Sequence, residues 1–140
     1  MSIERFCRKP LISALPTDTV TRAAQLMLEH HVGAVVVVDE ARKPAGIITD
    51  RDIACRVVAE GRDPAATQLS RVMSLQPAVL PRYGSIDDAS LIMRERGVRR
   101  LPIVDEEKRL CGLVSLDDLN VLFTAELGQL VGAVRGNQGP

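Results

Sequence analysis

The sequence predicts an α+β fold in which two tandem β-α-β-β-α repeats, related by a pseudo-two-fold axis, layer small sheets with helices. The first observation behind this is an internal duplication: Gly46-Ile47-Ile48-Thr49 with Asp52 reappears as Gly112-Leu113-Val114-Ser115 with Asp118, at a constant offset of 66 residues. The offset holds without a gap back to Thr19 and Ser85, through identities such as Ala23/Ala89, Met27/Met93, Val38/Val104 and Asp39/Asp105. Such self-similarity at a fixed period marks a repeat architecture. The second observation is that each half carries the same order of helical and β-branched runs. The third is that the strand runs are apolar on both faces, so neither face looks onto water.

In the first half, Thr17-Asp18-Thr19 supplies N-cap residues, and Val20, Ala23, Ala24, Met27 and Leu28 recur at helical spacing up to Gly33. Ala34-Val35-Val36-Val37-Val38 is β-branched and reads as a strand. It is followed by the turn composition Asp39 to Pro44 and a second strand, Ala45 to Ile48. Thr49 or Asp50 then opens a helix that directs Ile53, Ala54, Val57 and Val58 to the core and ends at Gly61-Arg62-Asp63-Pro64. The second half repeats this with helix Ser85 to Arg96, strands Leu101 to Val104 and Leu110 to Val114, and a last helix from Leu116 to about Glu126. A short strand precedes each unit, near Leu11 to Ala14 and Ala78 to Leu80. The expected division is residues 1–70 for the first repeat, 71–127 for the second and 128–140 for a glycine-rich flexible tail. Repeats of this size are marginal alone, so they are expected to bury their faces against each other as one compact module.

Composition excludes several classes. Eighteen basic and eighteen acidic side chains give a net charge of +0, without the electrostatic footprint of a nucleic-acid or membrane-surface binder. An aromatic content of 2% provides no stacking platform for single strands. Three cysteines, Cys7, Cys55 and Cys111, have neither disulfide-framework nor zinc-site spacing. With no leader-like or membrane-length apolar run, a soluble cytoplasmic protein is expected. His30-His31 lies at a helix end, without the spaced ligands a metal would need.

The repeated motif has a chemical logic. Gly46 and Gly112 allow backbone or ligand to approach where a Cβ would obstruct. Thr49 and Ser115 stand where strand becomes helix, so hydroxyl and free helix N–H groups share a corner suited to phosphate. Asp52 and Asp118, three residues on, return to the same face, and an ionised carboxylate accepts well from the vicinal hydroxyls of a ribose. The same spacing is nearly a capping box, which needs no ligand. Asp50, Asp52, Asp117 and Asp118 lack a histidine or nucleophile at catalytic spacing, so no enzyme is expected.

With GIITDRD, GLVSLDD, the strand Val98-Arg99-Arg100-Leu101-Pro102-Ile103-Val104-Asp105 and Val72-Met73-Ser74 opening the second unit, the chain resembles a tandem CBS domain pair, or Bateman module, of the stand-alone bacterial type, from about Lys9 to Leu127. The resemblance implies a regulatory module that binds AMP, ADP, ATP or S-adenosylmethionine in two clefts between the repeats and needs no cofactor. It implies ribose binding by Asp52 and Asp118, with Thr49 and Ser115 at phosphate or ribose. It also implies adenine packed among Ile47, Leu113, Ala14 and Leu80, and phosphate contacts from Arg99 and Arg100, with Arg51 a further candidate. The positions matching Arg99 and Arg100 in the first repeat are Gly33 and Ala34, so the clefts are expected to be inequivalent. Family pairs form flat homodimers through their helices. A structural module acting through such a dimer or a protein partner is the alternative, with a nucleotide-hydrolysing protein a distant third.

Overall fold

The computed structural model describes residues 3–7, 11–75 and 78–136, with side chains through residue 133. Among the described residues, seven strands and four α-helices are formed: β1 Ser13–Ala14, α1 Val20–His30, β2 Ala34–Val38, β3 Pro44–Thr49, α2 Asp50–Ile53, β4 Ser74–Leu75, β5 Leu80–Pro81, α3 Ile86–Arg96, β6 Arg100–Val104, β7 Leu110–Ser115 and α4 Leu116–Gly136. The expected α+β class and repeat order hold. One sheet runs β1-β2-β3-β4 and the other β5-β6-β7. The position matching β4 in the second sheet falls at residues 8–9, outside the described residues.

The two hairpins are built alike. Ala34 pairs with Thr49 and Arg100 with Ser115, and both ladders shift register before the last residue of their first strand, Val38 and Val104. The turn explains the Asp39/Asp105 identity: Asp39 Oδ1 accepts from the backbone N–H of Ala41 and Lys43, and Asp105 Oδ1 from those of Glu107 and Arg109, all at 2.9 Å. Such local carboxylate bonds favour a tight turn over continued strand. Arg42 and Lys108 complete each turn with φ of 64° and 67°.

Each β2 residue is buried, and the reason divides by face. Val35 and Val37 join Val20, Ala23, Leu26 and Ile48 in the core under α1. Val36 and Val38 point the other way, into a cluster with Leu110 to which Leu11, Ile47 and Leu113 add half-buried surface. The sheets therefore cover each other, and a backbone bond from Leu110 N–H to Arg42 O (2.9 Å) ties the hairpin turns together. The strands are apolar on both faces because one face meets helices and the other meets the second repeat.

The segments that lead into the repeats are exchanged. Residues Ile3–Phe6 form a 3₁₀ turn whose Ile3 and Phe6 fill the core of the second repeat, beside Leu80, Leu101 and Val114. Leu69–Arg71 forms the matching turn, and Leu69 with Val72 fills the core of the first repeat. Ile3 and Leu69 are both fully buried. Each repeat is thus completed by the lead of the other.

Three expectations are corrected. The last helix does not stop near Glu126, and residues 128–136 are not a tail but its continuation. Once the first turns dock, each further residue adds a backbone hydrogen bond at little cost, which outweighs the glycines at 128, 132 and 136. The helix after Thr49 is short and passes into a π-helical turn, Ala54–Val58, so Val57 is buried while Ala54 and Val58 face outward. The wider turn rotates the apolar face away from the simple 3.6 period. On α1, Leu26 replaces Ala24 and Leu28 in the core, and Leu28 is exposed.

Candidate functional site

The two motif corners form at the ends of β3 and β7. In the first, Thr49 Oγ1 accepts from Asp52 N–H (3.1 Å) while Asp52 Oδ2 accepts from Thr49 N–H (2.9 Å). In the second, Ser115 Oγ accepts from Asp118 N–H and Asp118 Oδ2 from Ser115 N–H, both at 3.0 Å. Reciprocal bonds of this kind are a capping box, so the capping role is real in both repeats. It engages Oδ2 of each Asp and does not use Oδ1. The helix starts are held down further by Asp50 N–H to Gly33 O (3.0 Å) and Leu116 N–H to Arg99 O (2.8 Å).

Beyond the boxes the corners differ. Asp52 Oδ1 lies 3.8 Å from Arg56 Nε, and Arg56 Nη1 donates to Val72 O (2.9 Å). The position matching Arg56 is Leu122, which is buried in the second core. Among the described residues no ion pair reaches Asp118, so its Oδ1 is the more available acceptor. Sequence comparison of the halves missed Arg56 because its counterpart is apolar; its position four residues after Asp52 on one helix was the available signal.

Arg100 crosses between repeats. From the start of β6, beside Ser115 in the ladder, its Nη2 reaches to within 3.3 Å of where a Cβ on Gly33 would sit, and Asp50 Oδ2 comes to 3.1 Å of the same point. A side chain at position 33 would occupy that space, so the Gly33/Arg99 difference is what admits the guanidinium. Arg99 instead turns outward, 3.8 Å from Asp117 and 70% exposed. Arg51 is exposed on α2. The three arginines expected at phosphate are therefore separated, and Arg100 alone lies between the corners.

The expected adenine wall is only half assembled. Ile47 and Leu113 come together, half-buried, in the cluster between the sheets. Ala14 and Leu80 do not join them: they are 4% and 0% exposed inside the cores of their own repeats, because β1 and β5 lie under the helices. This corrects their assignment as side-chain walls. Gly46 and Gly112 are approached by backbone rather than left open to a ligand: a Cβ at Gly46 would stand 2.9 Å from Ser74 O, and one at Gly112 would stand 2.5 Å from Phe6 O. Their role is to admit the exchanged leading segments.

Two surface depressions stand away from the motif, one of about 390 Å³ lined by Arg62, Ala66, Thr67, Gln68 and Arg71, the other of about 190 Å³ at Ser85, Ile86, Asp87, Phe123 and Glu126. His31 is explained by its backbone. It occupies the left-handed position that ends α1, with φ of 55° and its N–H bonded to Met27 O. Among the described residues no group of three or more His, Cys, Asp or Glu could hold a metal, and no helix is long and apolar enough to cross a membrane.

Comparison with known proteins agrees with this architecture. The CBS domain profile matches residues 3–59 and again 69–122, and the chain belongs to the CBS domain family as a tandem pair. It is 45% identical over 106 residues to the CBS domain-containing protein YhcV of Bacillus subtilis, covering 76% of this chain and 74% of that protein. An uncharacterized protein of Methanopyrus kandleri is 35% identical over 119 residues, 85% of this chain, which spans 61% of that relative's length. Among solved structures, the CBS domain pair of protein MJ0100, in complex with 5′-methylthioadenosine and S-adenosyl-L-methionine, superposes with a TM-score of 0.80 at 25% identity, covering 90% of this chain and 98% of that one.

Proposed function

We propose that the chain is a regulatory module that binds an adenosine-containing ligand between its repeats and passes the binding event to a partner surface. The observation that carries this reading is the second corner, where the capping box uses one oxygen of Asp118 and leaves the other without an ion pair among the described residues. A carboxylate so held is pre-oriented to accept from ribose hydroxyls. Arg100, lying between Ser115 and the first corner, supplies a cation for phosphate or carboxylate, and Ile47 and Leu113 supply apolar surface for the base. The 5′-methylthioadenosine and S-adenosyl-L-methionine held by the MJ0100 pair support an adenosine-containing ligand, and within that class the candidates are AMP, ADP, ATP and S-adenosylmethionine.

The asymmetry extends the reading. Arg56 and Arg100 are both associated with the first corner, whereas the second offers the less encumbered carboxylate. The clefts should bind with unequal affinity, the phosphorylated ligand preferring the first. Ligand that binds one arrangement of the repeats better than another shifts the population by its differential affinity. No catalytic step is assigned, and the cytoplasm is the compartment in which such nucleotides would be sensed.

The test is thermal unfolding against AMP, ADP, ATP, S-adenosylmethionine and guanosine controls, in the natural chain and in Asp52→Ala and Asp118→Ala. Ligand at 100 times its Kd should add about 2.7 kcal/mol. A shift that is adenosine-selective and is lost or reduced with Asp52→Ala or Asp118→Ala supports the proposal; the absence of any shift with all of these ligands, or a shift unchanged in both variants, overturns it.

A second reading has its own observation. Helix α4 exposes Val121, Phe123, Leu127, Leu130 and Val131, and α3 exposes Leu91. Apolar helix faces of this extent suit a homodimer formed through the helices. Sedimentation equilibrium of the natural chain and of Leu127→Glu/Leu130→Glu decides it, since a dimer on this face dissociates in the double variant and a monomeric natural chain removes the reading.

A further inference from the structure

The leading segment of the chain carries chemistry that the motif corners do not use. Cys7 and Cys111, 104 positions apart in sequence, bring their Sγ atoms to 3.4 Å. The contact is part-buried and held by the elements around it. Ile3 and Phe6 are anchored in the second core, Gly112 lets the Cys7 Cα lie 3.0 Å from where a Cβ would stand, and Arg82 pairs with Glu4 (4.0 Å) and Glu106 (3.4 Å) across the same junction. The matching positions in the other half are Met73 and Ala45, so the repeat architecture makes this junction there with a thioether and a methyl and no thiol. The thiol pair is an addition to the fold.

The geometry points to Cys7 and Cys111 as a modification site for reversible thiol oxidation, closed by exchange with the disulfide of a low-molecular-weight thiol, that fastens the leading segment covalently to the second repeat. Disulfide bond length is about 2.05 Å, so the two sulfurs, in contact at 3.4 Å, must approach by rather more than 1 Å. In the first step the Cys7 thiolate attacks one sulfur of the external disulfide, whose S–S bond breaks to release one thiolate. In the second, Cys111 gives its proton to solvent and its sulfur attacks Cys7 Sγ, expelling the second external thiolate. Two protein thiols become one disulfide while the external disulfide becomes two thiols, and excess reduced thiol reverses both steps. Burial, followed by the contact with Cys7, pushes the Cys111 thiol up to about 12, which makes it the sulfur that keeps its proton and resolves rather than the one that attacks first.

This goes beyond ligand binding, because the bond would add a covalent tie to a core element that packs through Ile3 and Phe6 and pairs through Glu4 with Arg82. Disulfides in reducing compartments are usually transient and sensing. The experiment incubates the full chain, in the natural form and as Cys55→Ser, with glutathione disulfide. Unreduced proteolytic peptides are then mapped by mass spectrometry and melting temperature is followed. The expected result is a peptide pair linked through Cys7 and Cys111 and a rise in Tm on the order of 10 °C, reversed by dithiothreitol and absent in Cys7→Ser. Separate glutathione adducts on Cys7 and Cys111, unreacted thiols at both, or a linked pair with unchanged Tm would each overturn the proposal. If Cys7→Ser does not fold, peptide mapping and dithiothreitol reversal in Cys55→Ser still decide it.

Discussion

Replacing Asp118 with asparagine separates the two roles its carboxylate can play. In the folded chain one oxygen accepts from Ser115 N–H at 3.0 Å while Ser115 Oγ accepts from Asp118 N–H at 3.0 Å. Asparagine retains a carbonyl oxygen for the Ser115 N–H, so the box survives and only the favourable charge at the start of α4 is lost, about 0.3–1 kcal/mol. The ligand side changes more. The oxygen that the box does not use becomes an NH₂ group, which presents hydrogens to the ribose hydroxyls it should accept from. Losing one hydrogen bond to a charged acceptor costs about 1.5–3 kcal/mol, or roughly 10- to 150-fold in Kd. Ser115→Ala should behave inversely, with about 1 kcal/mol of stability lost and a smaller change in affinity. Isothermal titration with the ligand selected by thermal shift, paired with urea unfolding, reads both quantities. If Asp118→Asn bound as tightly as the natural chain while losing stability, the carboxylate would be a helix cap and nothing more.

Other outcomes follow from particular contacts. Gly112→Ala should destabilise more than Gly46→Ala: the new methyl meets the Phe6 backbone carbonyl at 2.5 Å in the first case, whereas in the second the nearest atom, Met73 Sδ at 2.6 Å, belongs to a flexible side chain and the backbone Ser74 O stands further off at 2.9 Å. Overpacking of this kind costs about 1–3 kcal/mol, and equal urea midpoints for the two variants would contradict the difference. His31→Gly, at a φ of 55°, should stabilise by about 1 kcal/mol, and a lowered midpoint would show that the imidazole contributes more than its backbone costs. The Ser85 backbone N–H, and then its hydroxyl, hold the Asp88 carboxyl below its ordinary 3.8. A folded pKa below the unfolded one contributes stability that is present above 3.8 and lost as pH falls through the folded value. Melting curves at about pH 5 and about pH 3 should therefore diverge less in Asp88→Asn than in the natural chain, and equal divergence would remove Asp88 from the acid limb.

Much of the fold could be read because the sequence states it twice. The constant offset located both corners, and the paired β-branched runs located both hairpins, since local pattern and tertiary burial agree there. The parts that could not be read are those where the halves differ or where distant segments meet. Arg56 is hidden behind Leu122, and the exchange of leading segments is carried by Ile3/Leu69 and Phe6/Val72, pairs that are similar in burial but not in identity. The length of α4 was obscured by its glycines. At the site, the motif residues were identified as a constellation, yet which oxygen caps and which remains available depends on hydrogen-bond geometry. Ala14 and Leu80 were wall candidates through the family resemblance alone, whereas both lie within the cores of their own repeats.

The exchanged leads have a consequence for the chain as a set of separable parts. A fragment ending in the loop near Pro64 would carry the Ile3/Phe6 plug for a core it does not contain and lack the Leu69/Val72 plug for the core it does; the complementary fragment would have the opposite deficit. Neither should fold alone, and mixing them should restore the whole, as two halves of a split reporter do. Each repeat in this module behaves like one subunit of an arm-swapped dimer whose two members happen to share a backbone.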